Sequence, residues 1–322
     1  GDGVPATSTP LFYPYGVTVL STTGELVISD TSNNRIRKVD SNGIITTIAG
    51  GGSLLGDHNI PAIGALLNYP QAIVSSSNGE IFFMDYLKYR IKKIDTNGTI
   101  TTVAGTGTSG FSGDNGPAAN AMIGYIKGLA VDIAGDLFMA DQQNHCIRKV
   151  SSDSRIITTA AGICGVDNYG YLGENVMALT TRLNTPNGVA IKSNGEIVIA
   201  DTFNHRIRRV TNGKINTIVG NGVAGFSGES GIAIDAKLNT PTSVTVTSDG
   251  ETIISDYENR KIRKVNRNGI ITAIAGNGVN GFGGDGDSAL NAFLRNAGKV
   301  VVTEEGDVLF ADTGNNRIRK VD

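Results

Sequence analysis

Apolar residues along this chain come in runs too short for helices, and the runs follow one another in groups of four. Residues 187–191 (NGVAI) give a first run, 196–200 (EIVIA) a second, 206–210 (RIRRV) a third and 215–219 (INTIV) a fourth. Ser193-Asn194-Gly195 separates the first pair and Asn212-Gly213 the last. Asn-Gly between apolar runs predicts a type I′ hairpin, whose two central residues both need φ > 0. Equivalent steps stand at 42–43, 78–79, 97–98, 249–250 and 268–269. Each group therefore predicts a four-stranded antiparallel meander. Its second strand is apolar almost throughout, as in 81–84 (IFFM), 137–140 (LFMA) and 308–311 (VLFA). Such a run predicts burial on both faces. A lone four-stranded sheet cannot provide that, but neighbours stacked on either side can.

Between the second and third strands lies a motif of the form Asp-x-x-Asn-x-x-Ile-basic-basic-aliphatic. It recurs at 30–39, 85–94, 141–150, 201–210, 256–265 and 312–321, 55 to 60 residues apart. A fixed period marks a repeat architecture. Radial repetition of four-stranded blades buries both faces of each sheet and leaves only short edges. The expected fold is all-β, a six-bladed β-propeller of four-stranded antiparallel blades forming one domain over 1–322. Residues 1–6 (GDGVPA) match 284–289 (GDGDSA), and the sequence stops at Asp322 just after a third strand. The sixth blade is thus expected to lack its outer strand within this chain. It is then a three-stranded blade, or a continuation of the polypeptide carries the strand, or another molecule supplies it by strand addition. Opening on Gly-Asp-Gly with no initiator Met, the sequence reads as a processed or excised segment.

The segments Ala-Asp-Thr-(Phe or Gly)-Asn-(His or Asn)-Arg-Ile-Arg at 200–208 and 311–319 resemble the NHL repeat. The following Gly-(Asn or Thr)-Gly-x-x-Gly-Phe-(Ser or Gly)-Gly and Leu-Asn-Thr-Pro segments resemble its long-loop variety. The second unit departs most, with Lys88 where the other five carry Asn. The resemblance covers nearly the whole chain and implies a rigid interaction platform, since NHL propellers mostly bind proteins, sometimes RNA, and seldom catalyse alone. In such a meander the first and third turns share one end. The motif loops and the long connections 50–70, 105–127 and 162–186 are expected at the other, and loop-decorated faces carry function.

Composition narrows the partner. Net charge is −2, with 18% charged residues and 43 Gly, so no global basic field recruits nucleic acid or membrane. No apolar run approaches the roughly 18 residues of a membrane span. Most Lys and Arg residues sit in the six motifs, spread evenly round the ring. They are expected to cover blade surface and pair with the repeated Asp, where a nucleic-acid binder would show one clustered basic face. The partner expected is a protein.

Several chemical signals dissolve against the repeat. Gly105–Gly110, Gly220–Gly225 and Gly276–Gly281 each match G-x-G-x-x-G, but no long helix follows, as a dinucleotide fingerprint requires. The acidic segments 112–116 (SGDNG) and 284–288 (GDGDS) lack the oxygen count of a calcium loop. His145 and His205 occupy a repeat position filled by Asn34 and Asn316 in other units, and His58 stands alone. Neither supplies zinc spacing. No metal and no cofactor are expected.

An enzyme of the lyase or lactonase type would hold a channel metal. The inner-strand flanks offer Gln71, Asp132, Asn187, Thr242 and Lys299, a poor set for general acid–base work. The expectation is a non-catalytic scaffold. Its alternatives are a structural subunit of an extracellular or surface assembly joined through the open sixth blade, and a metal-dependent propeller lyase or lactonase.

Candidate anchors are Tyr86, Phe203 and Tyr257, just after the repeated Asp, with Tyr169 and Tyr171 in the longest connection. They break the repeat, and exposed aromatics favour protein interfaces. Phe111, Phe226 and Phe282 recur in register and are expected to plug their loops into the core. Cys146 and Cys164 flank one predicted hairpin and are positioned for a disulfide or for two buried thiols. Asn97-Gly98-Thr99 is a glycosylation sequon. Together these lean towards an extracellular or cell-surface setting, with the cytoplasm as alternative.

Overall fold

The computed structural model describes residues 1–56 and 59–322; His58 lies outside them. The described residues form five sheets of five strands and one of three. Blade four shows the plan. Its strands Pro186–Ile191, Ile197–Asp201, Arg206–Thr211 and Lys214–Val219 pair antiparallel in sequence order from the axis outward. The inner strand of each blade packs on the inner strands of its two neighbours, so the sheets close into a ring. At the seam, Thr313 Oγ1 donates to Pro14 O across 2.8 Å, as Thr31 does to Pro70 and Thr202 to Pro241.

Burial follows from this stacking. The second strands Ile81–Asp85, Leu137–Asp141, Ile197–Asp201, Thr252–Asp256 and Val308–Asp312 are buried at every position. The apolar clusters lie between adjacent blades, as where Phe82 and Met84 of blade two meet Leu129 and Met139 of blade three. Each fully buried residue of this size contributes about 1.5–3 kcal/mol.

Two expectations about the connections change. Blades one to five carry a fifth, two-residue strand, Val4–Pro5 in blade one and Val176–Met177 in blade four, added outside the fourth. The long connections therefore do not only crown one face. They descend the outer rim to the start of the fourth strand and climb back. There Ala178 N donates to Gly213 O (2.8 Å) and Ala62 N to Gly98 O (2.8 Å).

The turns also differ from expectation. Asn212 (φ 51°) and Gly213 (φ 74°) do form a two-residue turn with both angles positive. At 42–43, however, only Gly43 is left-handed (φ 75°), and its N–H closes a longer turn on Asp40 O. The reason is the preceding Asp40, whose carboxylate accepts the N–H of Asn42 and Ile44 (both 2.9 Å) and favours the longer loop.

Candidate functional site

The repeated residues form a polar framework. Asp30, Asp141, Asp201, Asp256 and Asp312 are fully buried. Each accepts an amide bond from the Asn three residues on, at 2.8 Å in every case. That Asn reaches the connection: Asn144, Asn259 and Asn315 donate to the carbonyls of Gly110, Gly225 and Gly281. The three glycine motifs are thus loop anchors. Arg37, Arg148, Arg208, Arg263 and Arg319 lie buried below them, and all but Arg148 reach the motif Asp at 3.4–3.6 Å. Asp114 and Asp285 of the acidic segments bind Arg148 (2.6 Å) and Arg319 (2.5 Å). These acids are arginine partners.

Phe111, Phe226 and Phe282 do not enter the core. They stay 38–47% exposed, over the guanidinium groups of Arg148, Arg263 and Arg319 at 4.7, 4.9 and 5.4 Å. A cation below makes the half-exposed ring the better arrangement. Tyr171 holds the same position over Arg208 at 4.8 Å, with Glu174 accepting from its hydroxyl, so it belongs to the repeat after all. Among the described residues no group of three His, Cys, Asp or Glu is placed to hold a metal ion.

What departs from the repeat gathers where the inner strands begin. Tyr15, Gln71, Lys127, Asn187 and Thr242 are the second residues of five inner strands, and Lys299 is third in the sixth. The strands approach closely here; a Cβ on Gly128 would lie 2.5 Å from Asn187 O. Lys127 Nζ donates to Gln71 Oε1 (2.9 Å) and sits over the rings of Tyr86 (4.5 Å) and Tyr15 (4.9 Å). Tyr86 stacks on Tyr125 at 4.8 Å, and Tyr89 bonds Tyr125 hydroxyl to hydroxyl at 3.0 Å. Burial pushes both Lys127 and Lys299 down to about 8. The Tyr15 hydroxyl is driven up, first by burial and then by Tyr257 and Tyr86. Asn187 Oδ1 and Thr242 Oγ1 are buried without a hydrogen-bond partner among the described residues.

Asp132 does not belong to this ring. It lies in the turn at the opposite end, capping the N–H of Ala134 (3.0 Å) and Asp136 (2.9 Å). The mouth thus has two amines, amides and phenols, and no carboxylate from an inner strand. Sequence reasoning missed Tyr15, Tyr125 and Lys127. Aligning the second residue of every inner strand would have revealed Tyr15 and Lys127, whereas Tyr125 stands just before its strand.

Of the other aromatic candidates, Phe203 (54%) and Tyr169 (57%) stand exposed on the loop face, and Tyr257 turns partly inward towards Tyr13 and Tyr15. Phe12 and Tyr69 add to the exposed set. Cys146 and Cys164 form a disulfide with Cα atoms 5.1 Å apart. Asn97 lies exposed on the turn between the third and fourth strands of blade two.

The family model for the NHL repeat matches residues 183–210, the three inner strands of blade four with its motif. This chain is an NHL-repeat propeller. Among curated relatives, this NHL propeller is 27% identical to teneurin-4 of Mus musculus over 282 residues, 76% of the chain and 10% of that protein. It is 30% identical to teneurin-1 of Homo sapiens over 226 residues, 63% of the chain and 8% of that protein. The chain spans about a tenth of the length of the teneurins it matches. Among solved structures, a protein of unknown function from Bacteroides thetaiotaomicron superposes with a TM-score of 0.69 at 14% identity, over 99% of this chain and 71% of the other. A streptogramin B lyase gives 0.59 at 16% identity, covering 98% and 95%. A gluconolactonase from Xanthomonas campestris gives 0.58 at 9%, covering 94% and 83%. At these identities the likeness shows the fold alone.

Proposed function

We propose that this NHL propeller is a non-catalytic interaction module that docks a protein partner on the loop face. Phe203, Tyr169, Phe12 and Tyr69 form the aromatic contacts, and an acidic group of the partner comes over the channel mouth near Lys127 and Lys299. The observation that carries this reading is the exposure of large aromatics that the polar framework does not use. The mouth supports it chemically: two amines without a carboxylate partner suit an anion, not a hard cation. An extracellular or cell-surface setting fits the teneurin relatives, which are surface proteins, and the Cys146–Cys164 bridge favours an oxidising compartment. No described helix is long and apolar enough to cross a membrane.

The test compares three immobilised proteins against one extracellular extract: wild type, Phe203→Ser/Tyr169→Ser, and Ile133→Ser as a control on an exposed turn at the opposite end. All three should melt within about 1 °C of each other, because exposed substitutions cost little. The expected result is a protein retained by wild type and control and depleted at least about tenfold from the double variant. Equal retention by all three sinks the proposal. So does one tightly bound metal ion per chain in the purified protein, which would favour the lyase or lactonase reading.

A further inference from the structure

At the end opposite the loop face, the turn before the fourth strand ends on Gly43, Gly98, Gly213 and Gly269 in blades one, two, four and five, all left-handed (φ 74–76°). The carbonyl of each accepts the N–H of an alanine from the connection at 2.8 Å. Blade three holds this position with Arg155, whose carbonyl accepts the Ala118 N–H (2.9 Å) and whose φ is 58°. Glycine adopts that conformation freely and an L side chain does not. The Arg155 N–H closes on Ser151 O (3.1 Å), one residue further back than Gly43 on Asp40, Gly98 on Asp95 or Gly269 on Asn266. The strain comes from the residue chosen, since the fold itself needs only glycine there.

The first turn of the same blade departs from the repeat too. Gly79, Gly135, Gly195, Gly250 and Gly306 close equivalent turns. The residue two before each is Ser77, Ile133, Ser193, Ser248 and Glu304. Ile133 is the apolar member of these five, and it stands 85% exposed.

Both departures border one cavity. At the seam of blades two and three lies a pocket of about 340 Å³. Its floor is apolar, Phe82 and Val103 of blade two with Leu137 and Val150 of blade three, each at most 8% exposed. Ile133 lines it as well, facing the Ser76–Asn78 turn of blade two. Its charged residues are Glu80, Asp153 and Arg155. Glu80 is held by Lys93. The Asp153 carboxylate and the Arg155 guanidinium have no hydrogen-bond or ion-pair partner among the described residues.

We propose that this pocket binds a free α-amino acid with an apolar side chain. The ligand carboxylate takes the guanidinium of Arg155, whose parallel N–H groups match it. The ligand ammonium takes Asp153, and the side chain covers the apolar floor beside Ile133. Each requirement comes from a different part of the lining. A simple acid, a simple amine or a peptide end carries only one of the two charges. The volume suits one such molecule, at the small end of ligand pockets. Strain at a residue the fold does not need is a mark of ligand sites, and the Arg155 backbone fits that description. The site lies at the far end from the loop face and does not rest on the docking reading.

The probes are L-phenylalanine and L-leucine, titrated calorimetrically into the 322-residue protein at neutral pH. Binding is expected at one site per chain, about millimolar or tighter, with a rise in Tm. Phenylpropionate lacks the ammonium, phenethylamine the carboxylate and glycine the side chain. Each should bind at least about tenfold more weakly than phenylalanine. On the protein side, Arg155→Gly restores the residue of four other blades. This variant should keep or raise the Tm, because the strain is gone, and lose at least about tenfold in phenylalanine affinity. The variant Phe203→Ser/Tyr169→Ser should bind phenylalanine as wild type does, so failure of the partner screen and failure of this site are told apart. The proposal is overturned if neither amino acid binds at tens of millimolar, if any of the three fragments binds as tightly as phenylalanine, or if Arg155→Gly binds undiminished.

Discussion

Blades two and four bury the same carboxylate and satisfy it differently. In blade four, Asp201 accepts from the Asn184 N–H (2.7 Å), from Asn204 Nδ2 (2.8 Å) and from Arg208 (3.4 Å). In blade two, Asp85 accepts from Asn68 (2.7 Å), but Lys88 stands where the Asn should be. Lys88 Nζ is 3.6 Å from Asp85 Oδ2, which has no hydrogen bond among the described residues, and donates instead to Leu66 O. A flexible ammonium can thus replace a short amide in charge but not in geometry. The comparison shows what the motif encodes. It is a set of partners for one carboxylate that the stacking of blades removes from water.

Removing that carboxylate gives the largest expected effect. Asp201→Ala takes the acceptor from Asn184, Asn204 and the fully buried Arg208, which keeps Gly173 O (2.8 Å) and Glu174 (3.9 Å), and should cost about 3–5 kcal/mol. Asp85→Ala removes a carboxylate that faces Lys88, 27% exposed and able to reach solvent, and the buried Lys92, and should cost about 1–3 kcal/mol. Urea unfolding at pH 7 with an unchanged m-value distinguishes them. Equal losses would mean that the lysine serves blade two as well as the amide serves blade four. The reverse change sharpens the same point. Lys88→Asn places an amide where five blades have one at 2.8 Å, and should raise stability by about 0.5–1.5 kcal/mol.

The repeat made the blade number, the motif positions and the doubly buried second strands readable from sequence, because each depends on a period or on a run of apolar residues. The fifth strand was not readable. Val4–Pro5 and Gly116–Pro117 are two residues long, and a Pro in them argues against a strand until the outer-edge position excuses its missing N–H. Phe111 and its sisters recur as core residues would, yet a buried arginine beneath each keeps them at the surface; periodicity shows that a position is constrained, not by what. The channel mouth was hidden for the opposite reason. Tyr15, Gln71, Lys127, Asn187 and Thr242 share a place in space but no chemical type, so no motif marks them.

The smallest effect concerns the residue after the motif Asn, where four blades use one of two solutions. Asn34 and Asn316 accept the N–H of Tyr69 (2.8 Å) and Tyr13 (2.7 Å) from the next blade. His145 and His205 do the same through Nδ1 for Thr185 (3.0 Å) and Thr240 (3.2 Å). A histidine can accept there only while neutral, and burial holds both below the usual imidazole value. The unfolded chain therefore takes up protons first as pH falls through about 6.5, and these two sites lose stability from there downward. The motif aspartates act in the other direction. Burial raises Asp201 and Asp256 to about 6, so the folded state binds more protons between that value and the unfolded carboxylate range, and stability rises as pH falls through it. Wild type and His145→Asn/His205→Asn share the aspartate contribution, so their difference isolates the histidines. The two proteins should melt alike at pH 7.5, with the double variant ahead by on the order of 1–2 °C at pH 5.5. An identical shift in both would show that the imidazoles stay neutral, or that their bonds to Thr185 and Thr240 contribute nothing to holding blades three, four and five together.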